Sequence, residues 1–151
     1  MKNDTCSMAA EIIASECLAG RIRLISRTVT HIFDDALRPL RMRVSQLNIL
    51  VFVAKDGPVS PGDVARRLNI EKSTVSRNVD RMLTRGWLKK SDSDTGSRQI
   101  LEISPAGRTL VKKSLPLWRN AQAQVESLLG QQGTQSIRRG AEHAQHQHGQ
   151  G

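Results

Sequence analysis

Apolar residues recur along the first third of the chain with the period of a packed helix. Between Cys17 and Leu37, the residues Leu18, Ile22, Ile25, Val29, Ile32 and Ala36 follow at steps of four and three, which lines them along one seam of an α-helix. Leu24 and Phe33 widen the stripe, while Arg21, Arg23, Arg27 and Asp34 fall on the other faces. Pro39 ends this helix. A second helix is predicted from an N-cap at Ser45, through Leu47, Leu50, Val51 and Ala54, to the breaker Asp56-Gly57-Pro58. Ser60-Pro61-Gly62-Asp63 opens a third, with serine as N-cap, proline in the first helical position and an acid three residues after the cap. Val64, Ala65 and Leu68 point inward from it, and Asn69 and Ile70 form a short turn. A fourth helix, about Lys72 to Arg85, is apolar at Val75, Val79, Met82 and Leu83, and Gly86 stops it.

The period then changes. Trp87 and Leu88 start a short strand, Ser91 to Ser97 is a turn cluster around Gly96, and Ile100, Leu101 and Ile103 predict the return strand. Ser104-Pro105 reads as another N-cap and first helical residue. The helix behind it runs through Leu110, Val111, Leu115, Leu117, Trp118, Val125, Leu128 and Leu129. A bend is expected at Pro116, whose ring removes a backbone hydrogen bond. Gly130 and Gly133 interrupt the pattern, and a weak last helix is predicted around Ser136 to Ala144. Residues 1–10 and the Gln-, His- and Gly-rich end, 145–151, are expected to be flexible.

Length and composition narrow the class. The chain has 151 residues, of which 38% are hydrophobic and 25% charged, enough for one domain with its own core. The longest apolar run, Ile49 to Ala54, is far short of the roughly 20 residues that cross a bilayer. The first twenty residues carry Asp4, Glu11 and Glu16 and no apolar block of a secretory signal. The expected location is therefore the cytoplasm, with no membrane partner. Two cysteines, not in a C-x-x-C pair, give no disulfide framework. Lys and Arg number 23 against 14 Asp and Glu, a net charge of +9 and a pI near 10.6. That surplus favours an anionic partner, nucleic acid or an acidic membrane face. Aromatic residues are only 3%, with no tyrosine, which argues against a stacking platform for single strands.

Helix, tight turn, helix and two-stranded hairpin is the layout of a winged helix-turn-helix, whose second helix lies in the major groove. With Val75, Val79 and Met82 facing the core, helical spacing turns Ser73, Ser76, Arg77, Asp80, Arg81 and Thr84 outward. The first turn also offers free N–H groups and a positive dipole end to phosphate. Arg77 is placed to read guanine, and Ser73 and Ser76 let the helix approach closely. From Arg66 to Arg98 nine basic residues stand against four acids, a net +5 out of the chain's +9 in about a fifth of its length.

Ser45 to Gly107 resembles the core of the MarR family of bacterial winged-helix transcriptional regulators. The resemblance rests on SQLNILVFVA, on VSPGDVARRLNIEKSTVSRNVDRMLTRGWLKK, on the wing SDSDTGSRQ and on the close LEISPAG. It extends more loosely over Cys17 to about Gly130. It implies a mainly α fold: a winged helix-turn-helix lobe over 45–104, a two-stranded β wing, and dimerisation helices over 17–38 and 105–144. It also implies a homodimer on a pseudo-palindromic double-stranded DNA operator, acting as a repressor released by a small aromatic or phenolic ligand or by oxidation, associated with the bacterial nucleoid. By position, Ser73, Thr74, Ser76 and Arg77 match the family's base-reading turn, Lys72 and Arg81 are further candidate DNA contacts on the same helix, and the wing would enter a flanking minor groove. The family's wing tip usually reads Asp-x-Arg, whereas here it reads Asp94-Thr95-Gly96, with Arg98 the nearest guanidinium. Either Arg98 substitutes from a re-shaped tip or that anchor is lost. The family also usually ends in a leucine-rich helix, whereas the residues after Gly133 offer only Ile137, Ala141 and Ala144. Leu18, Ile22, Ile25, Val29, Ile32 and Leu128 are therefore the candidate dimer contacts, the alternative for the seam being intramolecular core.

Other chemistry is thin. Cys17 opens the first long helix with Arg21 one turn away, an arrangement that can lower a thiol pKa for redox sensing, although the tyrosines of thiol-sensing relatives are missing. An idle or packed thiol is the other reading, and Cys6 is incidental. His143, His146 and His148 lack supporting residues that would hold a metal, so no metal and no cofactor are expected. Trp118, Phe33 and Met42 either line a ligand pocket or pack the core. Asp34 and Asp35 are adjacent and cannot face each other on a helix, and no phosphate loop or nucleophile elbow is present. An enzyme is not expected; a winged-helix module that docks a protein instead of DNA is the remaining rival.

Overall fold

The computed structural model describes residues 2–91 and 99–148. Among these, the chain forms α1 (Lys2–Glu16), α2 (Leu18–Leu37), a 3-10 turn (Arg38–Leu40), α3 (Val44–Asp56), α4 (Pro61–Leu68), α5 (Lys72–Thr84), β1 (Leu88–Lys90), β2 (Leu101–Ile103) and α6 (Pro105–His148). This is the mainly α winged helix-turn-helix that the hydrophobic pattern predicts. The strands pair antiparallel, with Leu88 opposite Ile103 and Lys90 opposite Leu101. A short bridge that the sequence reading lacks joins Val59 to Leu101 through two backbone hydrogen bonds of 3.1 and 2.8 Å. Leu101 thus sits fully buried between two extended segments.

Helix α4 begins as its sequence requires. The Asp63 N–H donates to Ser60 Oγ at 3.2 Å, and the Ser60 N–H donates back to the Asp63 carboxylate at 3.0 Å. Pro61 fills the first helical position, where no N–H is needed. Helix α3 starts differently from the expectation at Ser45: its N-cap is Arg43 and its first residue Val44. Gln46 accepts the Arg43 N–H at 3.1 Å, and Asp34, from α2, accepts the Val44 N–H at 2.8 Å. The inward face of α3 is also shifted. Val51 and Ala54 are exposed, while Gln46, Ile49 and Val53 join Leu47 and Leu50 inside. The run Ile49 to Ala54 is apolar throughout, so no polar position within it marks the phase of the helix.

The main core gathers Leu37, Ile49, Leu50, Val53, Val64, Val75, Val79, Met82, Leu88 and Leu101 from α2 to β2. A smaller cluster joins α2 to α6 through Phe33, Ala121 and Val125. Helix α1 begins at Lys2 and α6 reaches His148, inside the two stretches expected to be flexible. Ala, Met and Glu favour helix in α1, and neither Gly nor Pro interrupts it. Its described side chains, from Asp4 on, are all exposed, so local propensity rather than packing accounts for it. Within α6 the dihedrals stay helical through Pro116 and break instead at Gly130, with φ 69° and ψ 170°, a conformation that only glycine adopts without strain.

Candidate nucleic-acid interface

Helices α4 and α5 are joined through Asn69, held in the left-handed region at φ 50°. The Ile70 N–H returns to the Ala65 carbonyl at 2.9 Å, which closes the turn. Beside the first turn of α5 this leaves a groove of about 620 Å³ lined by residues including Gly62, Arg66, Asn69 and Lys72. Val75, Val79 and Met82 pin α5 to the core. Lys72, Ser73, Ser76, Arg77, Asp80, Arg81 and Thr84 all face solvent. The structure therefore brings the proposed reading residues onto one open face. Thr74 differs in being half-buried, with its hydroxyl 3.3 Å from the Arg77 guanidinium and its carbonyl accepting the Asn78 amide at 3.1 Å. Arg77 thus lies back along the helix on Thr74 and is free to extend toward a ligand at the loss of one weak hydrogen bond.

The wing is anchored at its base. Lys89 pairs with Glu102 across the strands at 3.1 Å, and the Ser91 hydroxyl donates to the same carboxylate at 2.6 Å. The Ser91 hydrogen bond first, and then Lys89, hold the Glu102 carboxyl below its ordinary pKa. A lowered carboxylate pKa stabilises the fold at neutral pH, and that contribution is lost as pH falls through the lowered value. Asp94 and Arg98, the expected wing-tip pair, lie outside the described residues.

At the foot of the wing Ser104 knots three elements together. Its hydroxyl donates to the Gly86 carbonyl at 2.5 Å and lies 3.0 Å from that of Trp87, while it accepts the Gly107 N–H at 3.0 Å. Arg85 stacks over the Trp87 ring at 4.9 Å and donates to the Arg41 carbonyl at 2.7 Å.

The expected dimer seam divides in two. Leu18, Ile22 and Ile25 are 70%, 63% and 36% exposed. Val29 and Ile32 are half-buried against Phe33, Ala121 and Val125 of the same chain. Leu128 on α6 is 57% exposed. Cys17 and Cys6 are both free and exposed, and the Arg21 guanidinium donates to the Ser15 carbonyl, a backbone partner rather than a thiol. Phe33 and Met42 are buried in separate clusters and Trp118 is 37% exposed. His143 and His146 are exposed on α6, and no group of three His, Cys, Asp or Glu among the described residues could hold a metal. No helix among the described residues is long and apolar enough to cross a membrane.

The role of Asp34 in capping α3 has no local signal in the sequence, because nine residues, Pro39 among them, separate it from Val44. Equally silent is Gly107, which packs directly against the Trp87 carbonyl, twenty positions back along the chain.

A tight helix-turn-helix whose second helix is exposed and cationic, followed by a paired hairpin, defines a winged-helix DNA-binding protein. A family model described as MarR family matches residues 42–99. An uncharacterised protein of Methanocaldococcus jannaschii is 30% identical over 107 residues, covering 67% of this chain and 81% of its own. The multiple antibiotic resistance protein MarR of Salmonella typhimurium is 21% identical over 97 residues, 64% of this chain and 67% of that one. In fold, the chain is similar to a MarR variant from E. coli complexed with operator DNA, with a TM-score of 0.76 at 12% identity, covering 88% of this chain and 96% of that one. It is also similar to Bordetella bronchiseptica BpsR, in a structure concerning regulation of DNA binding by 6-hydroxynicotinic acid, with a TM-score of 0.75 at 20% identity over 86% and 94% of the two chains. The chain belongs to the MarR family of transcriptional regulators.

Proposed function

We propose that this regulator is a cytoplasmic homodimeric repressor that binds a pseudo-palindromic operator. The winged-helix lobe, 45–104, reads the DNA, and the helices over 17–38 and 105–144 carry dimerisation. Lys72, Ser73, Ser76, Arg77 and Arg81 enter the major groove, with Thr74 holding Arg77 until DNA takes its place. The wing, with Asp94 and Arg98 near its tip, follows into the minor groove. Release by a small aromatic or phenolic ligand is the regulation this reading carries, in line with the effector named for the BpsR structure.

The observation that carries the reading is the open cationic face of α5 on a helix pinned by three buried side chains. Binding by phosphate neutralisation releases counterions, so affinity should fall with salt at a slope of roughly −0.9 per phosphate contacted. Titration of the chain against a duplex selected from a random pool tests this; a flat salt dependence would instead favour a protein-docking module. On that same duplex, Arg77→Ala should cost about 1–3 kcal/mol and relax the choice of base at one position in each half-site. Repeating the selection with the variant checks it, and an unchanged base preference removes Arg77 from the reading set.

A further inference from the structure

Asp34 belongs to α2, yet its carboxylate serves α3. Oδ1 accepts the Val44 N–H at 2.8 Å, and Oδ2 pairs with the Arg43 guanidinium at 3.1 Å. Only 17% of its side chain remains exposed. Val44 opens α3, so its N–H is one of those that the helix cannot satisfy itself, and a carboxylate there also meets the positive end of the helix dipole. Between the two residues lies the joint of the molecule, the 3-10 turn Arg38–Leu40 followed by Arg41 at φ 50°. Arg85, at the C-terminal end of α5, grips the same joint from the other side through the Arg41 carbonyl. The joint is thus tied to α2 by Asp34 and to the recognition helix by Arg85. Leu37 and Met42, both buried, seat it in the core.

We propose that Asp34 is a positioning residue for DNA binding. By clasping the start of α3 it fixes the angle between α2 and the winged-helix lobe, and with it the spacing of the two recognition helices in the dimer. This rests on the dimeric DNA-binding reading above. One lobe reads one half-site with α4, α5 and the wing, whereas the hydrogen bonds of Asp34 among the described residues go to Arg43 and Val44. A duplex carrying two half-sites also demands the right separation, about one helical turn.

Three variants test this on two duplexes, one carrying both half-sites of a sequence selected by the wild-type chain and one carrying a single half-site. Asp34→Asn keeps an oxygen for the Val44 N–H and should stay within about threefold of wild type on both, since the cap survives. Asp34→Ala removes the clasp. Val44→Pro removes the donor and trims a side chain that packs against both apolar clusters, at a first helical position where proline is favoured, and the extended Arg43, at φ −99° and ψ 155°, suits a residue before proline. A charge-assisted hydrogen bond corresponds to roughly ten- to a hundredfold in an equilibrium. Asp34→Ala and Val44→Pro should therefore lose about that much on the double site and less than about twofold on the single one. Equal loss on both duplexes, or no loss on either, overturns the proposal while leaving the DNA-binding reading intact. A wild-type chain that enriches no duplex overturns that reading, and this proposal with it.

Discussion

Substituting Gly107 with alanine should cost the fold several kcal/mol, although the position is helical and alanine is the better helix former. A Cβ at Gly107 would stand 2.1 Å from the Trp87 carbonyl oxygen and 2.9 Å from Ile103 Cγ1, where ordinary contacts lie near 3.5–4.0 Å. The carbonyl cannot retreat cheaply: it accepts the Ser104 N–H at 3.2 Å and lies 3.0 Å from the Ser104 hydroxyl. Overpacking of this kind costs about 1–3 kcal/mol, and each strained hydrogen bond adds roughly 0.5–1.5 kcal/mol. The propensity gain of alanine over glycine, about 1 kcal/mol at most, is smaller and of opposite sign. A urea melt of Gly107→Ala should show a midpoint well below wild type; a midpoint equal or higher would mean that α6 slides away from Trp87 at little cost. Because Gly107 fixes the foot of β1 against α6, the variant should also weaken DNA binding at temperatures where it stays folded.

Helix phase was legible in the sequence wherever polar residues punctuate the pattern. Val75, Val79 and Met82 alternate with charged and hydroxyl residues, and all three are buried as expected while Ser73, Ser76, Arg77 and Arg81 stay outside. The capping box at Ser60 and Asp63 was equally readable, because both partners lie within one turn. Legibility failed where the determinant is distant in sequence. Ser45 looked like the cap of α3, but the N–H groups there are met by Gln46 and by Asp34 from another helix. Val59 pairs with Leu101 across more than forty residues, and its neighbours Gly57 and Pro58 read only as a breaker. The apolar stripe of α2 is legible only in part. Heptad-like spacing shows that a stripe is apolar, but it carries no information on whether the stripe meets its own chain or another. Val29 and Ile32 turned inward onto α6, whereas Leu18, Ile22 and Ile25 on the same stripe did not.

That division makes the dimer testable without confusing association with folding. Replacing Leu18, Ile22 and Ile25 together with aspartate leaves the protomer's two buried clusters intact, since none of the three belongs to them, so far-UV circular dichroism should barely change and the thermal midpoint should fall only by what association contributes. If the seam closes on a second copy, each buried Leu or Ile contributes about 1.5–3 kcal/mol to association, and two-fold symmetry counts each position twice. Buried aspartates would add a further desolvation penalty with no partner to offset it. Association should therefore weaken by roughly a thousandfold or more on the scale of 1.4 kcal/mol per decade, and sedimentation should give the protomer mass. Affinity for the two-half-site duplex should fall with it, because a lone lobe loses the second set of phosphate contacts. Ile32→Asp is the contrasting control: it strikes the cluster of Phe33, Ala121 and Val125 and should lower the thermal midpoint of the protomer itself. A triple variant that still sediments as a dimer would move the interface to the exposed Leu115, Trp118 and Leu128 of α6. The first half of α2 would then be left with an apolar surface that dimerisation does not explain.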